Sequence, residues 1–141
     1  MRTVVLIKAC ALVLFGHLVS CEPEDWLTNI DCSECFSFRP DSADLIVNLT
    51  INEENDSVPL TFYKGQLGSG LIDWHDTATT EAFYLSAEIG AVYTVEARYR
   101  DGMKTILAYD SDKMTLSDFG ADCGDPCYIV RGGIFELQLR D

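Results

Sequence analysis

Short runs of alternating apolar and polar residues fill most of the chain after residue 43, and this pattern constrains the fold more than any other feature. Asp44–Asn52 and Ala91–Arg100 are the clearest runs, with an apolar side chain at every second position. A period of two is that of a half-buried β-strand, whose successive side chains point to opposite faces. The residues predicted to face the core in these two runs are Leu45, Val47, Leu49, Ile51, Tyr93, Val95, Ala97 and Tyr99.

Further strands are predicted between turn signals. Pro59 indicates an edge position or the start of a strand, and Asp101-Gly102 is typical of a hairpin turn because glycine accepts positive φ. Gly65–Gly70 reads as a loop and Arg131–Gly133 as a bend. The chain therefore predicts an all-β protein, an antiparallel sandwich of about seven strands. The remaining predicted strands are Val58–Gln66, Leu71–His75, Ala82–Leu85, Lys104–Tyr109, Tyr128–Val130 and Ile134–Leu139.

Four cysteines form two close pairs, one near each end of the predicted sandwich. Cys32 and Cys35 belong to the first pair, and Cys123 and Cys127 to the second. Close pairs suit a four-cysteine zinc site, but the acidic residues around them disfavour bound metal and reactive thiolates. We expect two disulfides joining the N-terminal lead to the loop before the last strand. Three connectivities remain open, and zinc or free or locally paired thiols are the alternatives.

Residues 1–20 have the composition of a secretory leader. Arg2 and Lys8 supply positive charge, no acidic residue is present, and an apolar run extends from Ala9 to Gly16. That run is too short to cross a hydrocarbon core of about 30 Å. We therefore predict a helical signal peptide at 1–20 that is removed from the folded protein.

The end of this leader resembles a lipobox. Leu18-Val19-Ser20-Cys21 matches the bacterial lipoprotein pattern of a leucine, two permissive positions ending in a small residue, and a cysteine. In that family the cysteine is acylated, for example with palmitate, and cleavage falls before it. The resemblance implies a lipid anchor at Cys21 and a place at the outer membrane or cell surface, with the periplasmic face as an alternative. Ordinary secretory cleavage after Cys21 is the other interpretation.

A tether follows at 21–31, before the predicted sandwich at 32–141. Its start, Glu22–Asp25, is acidic and contains proline, which is typical of a solvated linker. Acidic residues directly behind the lipidated cysteine also resemble the surface-export signal of lipoproteins from Bacteroidota.

The order of the strand signals resembles that of transthyretin-like (prealbumin-like) sandwiches in small acidic lipoproteins of Bacteroidota. The likeness is carried by Val58–Gln66 with its glycine loop, by Ala91–Tyr99 after Gly90, and by Gly133–Leu139. Together these segments extend over most of the mature chain, from Val58 to Leu139. The resemblance implies a transthyretin-like sandwich, and immunoglobulin-like domains share the same kind of pattern.

Negative charge excludes one class of partner. Lys and Arg number 10 and Asp and Glu 23, which gives a formal net charge of −13. Removal of residues 1–20 takes away two positive charges and no negative one, so the mature chain carries −15. Such a surface repels phosphate backbones, and we expect no nucleic-acid partner. The same charge would speed association with a basic protein.

Motifs for catalysis are missing from the sequence. His75 lies beside Asp76, and Ser69 lies in the glycine loop, but no nucleophile motif accompanies them. We expect no enzyme, no catalytic residue, no cofactor and no metal. The carboxylate clusters Glu53–Asp56 and Asp110–Asp112 are predicted to be solvated acidic loops, with a calcium site as the alternative.

Two features bear on binding. Trp74, flanked by Asp73 and His75 and next to the glycine loop, is our candidate for ligand contact, since exposed tryptophan suits sugars and proteins. Asn48 and Asn55 begin glycosylation sequons, which matter only in a eukaryotic source.

Taken together, the sequence predicts a non-enzymatic binding or interaction module, held at a membrane outside the cytoplasm. Its partner would be a protein or a glycan. One alternative is an inhibitor or immunity protein for a basic toxin or enzyme. Another is an accessory protein of surface glycan capture or fimbrial assembly.

Overall fold

The computed structural model describes residues 30–140, which form an all-β sandwich and confirm the predicted fold class. The predicted signal peptide, Cys21 and nearly all of the tether lie outside the described residues. A 3₁₀ turn, Cys32–Glu34, precedes the strands, and one short helix, α1, spans Gly120–Cys123. No helix within 30–140 has the length and apolar character to cross a membrane. The strands are β1 Ser42–Asn48, β2 Val58–Lys64, β3 Leu71–Ala78, β4 Ala82–Glu88, β5 Val92–Asp101, β6 Lys104–Lys113, β7 Thr115–Asp118, β8 Tyr128–Arg131 and β9 Ile134–Glu136.

The nine strands exceed the seven or so expected, and they form two main sheets and a hairpin. One sheet has the order β3-β2-β5-β6 and the other β4-β1-β9, while β7 pairs with β8. All described neighbours are antiparallel except β1 and β9, which run parallel. This parallel pair departs from the antiparallel prediction.

Gly132 and Gly133 redirect the chain between β8 and β9. Both have φ of +80°, which L side chains rarely adopt. A Cβ on Gly133 would lie 2.6 Å from the Cγ of Met114, and one on Gly132 would lie 2.6 Å from the carbonyl oxygen of Lys113. The chain can therefore turn close against the end of β6 and enter the sheet beside β1.

The core lies between the two main sheets, as the alternation predicts. Of the eight residues predicted to face inward, all are buried except Ile51, which is partly buried and packs against the core. Each large apolar side chain removed from water contributes about 1.5–3 kcal/mol. The buried Tyr99 hydroxyl donates to the Leu137 carbonyl at 2.9 Å and accepts from the Thr50 amide at 3.2 Å. It thus joins β5 to the segments that follow β1 and β9.

Two disulfides connect the N-terminal lead to the region around α1. Cys32 pairs with Cys123 and Cys35 with Cys127, across 91 and 92 residues. The predicted disulfides are confirmed, and their connectivity is one of the three left open. Because all four sulfurs are bonded in pairs, no thiolate among them is left for zinc. Such bonds indicate an oxidising, extracytoplasmic environment, and closing a loop of this length stabilises the fold by about 4–5 kcal/mol in the chain-entropy model.

The two long sides of the sandwich are built differently. On the sealed side, formed by β6 and β9, Asp110 accepts from the Glu136 amide at 2.9 Å and Asp112 from the Gly133 amide at 2.6 Å. The prediction of a solvated acidic loop at Asp110–Asp112 is therefore wrong, because these residues lie on β6 and join the sheets. The open side is formed by the outer strands β3 and β4, which residues 79–81 connect.

Candidate functional site

The outer surface of the four-stranded sheet is the candidate site, and we call it the tyrosine face. In the strand register Glu96 of β5 stands between Thr61 of β2 and Tyr109 of β6, and His75 of β3 pairs with Thr61. Tyr63 lies two residues further along β2. Its members are Thr61, Tyr63, Ile72, His75, Glu96, Arg98, Leu107 and Tyr109.

Glu96 organises the centre of this face. Its residue is only 7% exposed, although it points away from the core. One carboxylate oxygen accepts from the Tyr63 hydroxyl at 3.2 Å and the other faces the Arg98 guanidinium at 3.3 Å. Tyr109 is paired with Glu96 across the β5–β6 ladder, so its phenol stands beside this carboxylate. A buried carboxylate is costly unless it is paired and hydrogen-bonded, and Tyr63 and Arg98 satisfy that need.

Both tyrosines are held as neutral donors. The hydrogen bond to Glu96 raises the pKa of Tyr109, with burial as a further cause. Burial first, and then Glu96, raise the pKa of Tyr63. Both hydroxyls stay protonated above neutral pH, and the hydrogen bond to Glu96 holds the Tyr63 ring in one orientation. A partner would therefore meet a ring that loses little freedom on binding.

Apolar side chains surround this polar centre. Ile72 is 58% exposed, Leu107 45% and Tyr109 40%. A shallow depression of about 300 Å³ lies among Pro59, Thr61, His75 and Arg98. Tyrosine and arginine beside exposed aliphatic groups are typical of protein interfaces, where they form the energetic centre.

Trp74 lies apart from the tyrosine face. It pairs with Phe62, whose side chain is buried, so Trp74 points to the core side of the sheet at its open side. There it is 52% exposed, and its indole Nε1 donates to Asp76 at 3.3 Å. Trp74 is exposed enough to contact a ligand. The aromatic side chains of the tyrosine face, however, are on the opposite surface of the sheet.

The remaining polar candidates have structural partners. The His75 Nδ1 atom is 3.2 Å from the Thr61 hydroxyl, while the Ser69 hydroxyl donates to the Gln66 carbonyl at 3.3 Å. Within the described part of the chain, Ser69 and His75 share no hydrogen bond. Glu54 accepts from the Gly102 amide at 2.5 Å, and this hydrogen bond joins the acidic cluster Glu53–Asp56 to the β5–β6 hairpin.

The sequon at Asn55 is built into the fold. Asn55 is 4% exposed, its Nδ2 donates to the Arg100 carbonyl at 3.1 Å, and its Oδ1 accepts from the Arg100 amide at 2.7 Å. A glycan on Nδ2 would break this contact. Asn48 Nδ2 likewise donates to Glu136 at 2.8 Å, across the β1–β9 pair.

The sequence reasoning missed the tyrosine face. Glu96 and Arg98 alternate with the predicted core residues of the run Ala91–Arg100, and that alternation places them only on the outer surface of a strand. Their position beside Tyr63 and Tyr109 depends on the strand order β2-β5-β6. The available signal was Glu96 as the one carboxylate in the predicted strand Ala91–Arg100. Comparison of the chain with family models, with curated proteins and with solved structures finds no match.

Proposed function

We propose that this chain is a non-enzymatic binding module, anchored at Cys21 to a membrane outside the cytoplasm, that binds a partner through the tyrosine face. The observation that carries the proposal is the buried Glu96 carboxylate, which is bound by Tyr63 and Arg98 and paired with Tyr109 beside exposed Ile72 and Leu107. A flat face with a satisfied polar centre suits association with another surface. It offers no paired acid and base at a deep cleft.

The lipobox resemblance supports the anchor, and the two disulfides fit an oxidising compartment. Cys21→Ser removes the acyl acceptor and should release the protein from membranes after cell fractionation. Cys35→Ser is the matched control, because it removes a sulfur of the folded domain and leaves the lipobox intact. Membrane retention of Cys21→Ser would contradict the anchor.

The binding face is tested by photo-crosslinking in the source cell. A photoreactive residue in place of Leu107 should give a discrete covalent adduct, because this side chain is exposed on the tyrosine face. The same residue in place of Ser37, exposed in the N-terminal lead, is the control. Adducts from both positions or from neither would contradict the proposed face.

Binding measurements with the crosslinked partner distinguish a basic protein from a glycan. An inhibitor or immunity role requires a basic partner, whose capture should weaken as ionic strength rises. A glycan-capture role predicts salt-insensitive sugar binding that Trp74→Ala abolishes, because Trp74 is exposed beside the glycine loop. The net charge of −15 for the mature chain favours the basic protein of the two.

A further inference from the structure

The outer edge of β4 is the feature from which the inference starts. Its seven residues pair with β1 in an unbroken antiparallel register. In such a ladder, residue pairs that exchange both backbone hydrogen bonds alternate with pairs that exchange none. The Leu49 amide donates to the Glu81 carbonyl and the Ile89 amide to the Asp41 carbonyl, at the two ends of the ladder. The odd-numbered residues of β4 therefore bond β1, and the even-numbered ones direct their backbone groups outward.

Two of the four outward positions are already engaged. The Glu88 amide donates to the Tyr93 hydroxyl at 3.3 Å, and the Ala82 carbonyl accepts from the Thr80 hydroxyl at 2.8 Å. For Tyr84 and Ser86, residues 30–140 supply no hydrogen-bond partner to the backbone N–H or C=O. Four consecutive outward donors and acceptors thus stand in the middle of the edge.

This edge also lacks the usual protection against pairing. Natural edge strands are blunted by proline, lysine, bulges or inward charges. The sequence of β4 is AFYLSAE, without proline or lysine, and its register has no irregularity. The other outer strand of the open side, β3, has a register shift opposite Phe62 and Tyr63 and includes Asp73 and Asp76.

An apolar row leads up to the edge. Tyr84 of β4, Ile46 of β1 and Ile134 of β9 are directly paired across the three strands, on the surface that faces away from the core. Tyr84 is 60% exposed and Ile134 51%. A strand added beside β4 would place a side chain next to Tyr84 and lengthen this row.

The charged residues around the apolar row favour a partner of positive charge. Asp44 and Glu136 lie on the same surface, two residues along the strands to either side of the row. None of the described strand positions on this surface is lysine or arginine. Lys64, which reaches the end of β4, is bound to Glu88, and the nearby Asp73 contributes to raising its pKa.

We propose that β4 accepts an extended segment of a basic partner protein as a fourth strand of this sheet. The segment pairs with the backbone of Tyr84 and Ser86, sets apolar side chains beside Tyr84, and carries lysine or arginine opposite the surrounding carboxylates. Backbone pairing supplies the geometry and the alternate side chains supply selectivity, as in strand addition generally. This site is on the other sheet from the tyrosine face and does not depend on it.

The test uses a displayed library of random twelve-residue peptides as the probe and two substitutions at Ser86. Ser86→Pro removes the outward N–H yet leaves the β1 ladder intact, since proline is tolerated where the N–H of an edge strand faces solvent. Ser86→Thr keeps the N–H and is the matched control. Peptides selected on the unmodified protein should alternate apolar and basic residues, bind Ser86→Pro at least tenfold more weakly, and bind Ser86→Thr within about twofold.

Amide hydrogen exchange gives an independent readout that does not rely on the proline variant folding. A bound peptide should slow exchange at Tyr84 and Ser86 in the unmodified protein. Failure to select peptides, equal binding to Ser86→Pro and Ser86→Thr, or protection elsewhere would overturn the proposal. A dimer lost in Ser86→Pro would assign the edge to a second copy instead. Tyr109→Ala should not alter peptide binding, so a failure here is distinguishable from a failure of the tyrosine face.

Discussion

The two long sides of the sandwich differ in what happens to the backbone N–H groups of their outer strands. On the sealed side, Asp110 accepts from the amide of Glu136 in β9 and Asp112 from the amide of Gly133 just before it, as a neighbouring strand would do with its carbonyls. On the open side, the amides of Tyr84 and Ser86 meet no such acceptor in the described chain. On the sealed side, each of these carboxylates supplies an acceptor to a backbone N–H that no strand pairs. Part of the acidity of the sequence is therefore structural.

Among substitutions on the two sides, Gly133→Ala on the sealed side should lower the free energy of unfolding the most. Gly133→Ala forces a side chain into positive φ and places its Cβ 2.6 Å from the Met114 Cγ. The strain and the overpacking together should cost about 2–5 kcal/mol. Urea unfolding followed by circular dichroism measures the loss.

Gly68 provides the matched control for this substitution. Its φ is +82°, almost that of Gly133, but a Cβ there would meet nothing within 4 Å. Gly68→Ala should cost only about 1 kcal/mol, from backbone strain alone. Equal losses at the two glycines would show that the close approach of β9 to Met114 has no energetic weight.

The next effect is that of the bridging carboxylates themselves. Asp112→Ala leaves the Gly133 amide, now bonded at 2.6 Å, without its acceptor and should cost about 1–3 kcal/mol. Asp112→Asn keeps an oxygen acceptor and should cost less than about 1 kcal/mol. If the two variants unfold at the same urea concentration, the carboxylate contributes through charge and not through its hydrogen bond.

The smallest effect is expected from the ion pair on the open side, where Lys64 and Glu88 are both exposed. The hydrogen bond between them lowers the pKa of Glu88 and raises that of Lys64. The Glu88 contribution is present above its unfolded pKa of about 4.3 and is lost as pH falls through the folded pKa. The Lys64 contribution is present below about pH 10.4 and is lost as pH rises through the folded pKa.

Between about pH 5 and pH 10, Glu88→Gln should therefore unfold at slightly lower urea concentration than the unmodified protein. The difference should shrink as pH falls through the lowered folded pKa of Glu88, and it should vanish once this carboxyl is protonated in both folded and unfolded chains. A difference that persists unchanged in acid would mean that the substitution acts through packing and not through charge.

Alternation predicted the fold class and the inner face of the central strands, because those strands have a core on one side only. The alternation gave wrong strand bounds, or no strand, where a strand does not have one face on the core. β3 was predicted to end at His75 but continues to Ala78, since an edge strand exposed on nearly every residue has no alternation to read. β7, Thr115–Asp118, was missed because its four residues pair with β8 outside the two main sheets.

The site was less predictable than the fold. The disulfides were expected from the cysteine pairs, but their connectivity needed the geometry. The tyrosine face assembles from β2, β5 and β6, which are distant in the chain, and strand order is not written in local periodicity. Asp110 and Asp112 looked like a turn because their acidity suggested solvent, whereas their register opposite Val95 and Tyr93 turns them toward β9.

The disulfides also determine how the domain responds to mechanical tension between its two ends. Tension applied to the N-terminal lead is transmitted through the Cys32–Cys123 bond to the segment that contains β8 and β9. Strands β1 to β7 lie between the two bonded cysteines and carry little of this force. The bond withholds 91 residues from extension, which is about 300 Å of contour at about 3.4 Å per residue. A force that peels away β8 and β9 would therefore remove one edge strand of the three-stranded sheet while β1 to β7 stay enclosed by the disulfides.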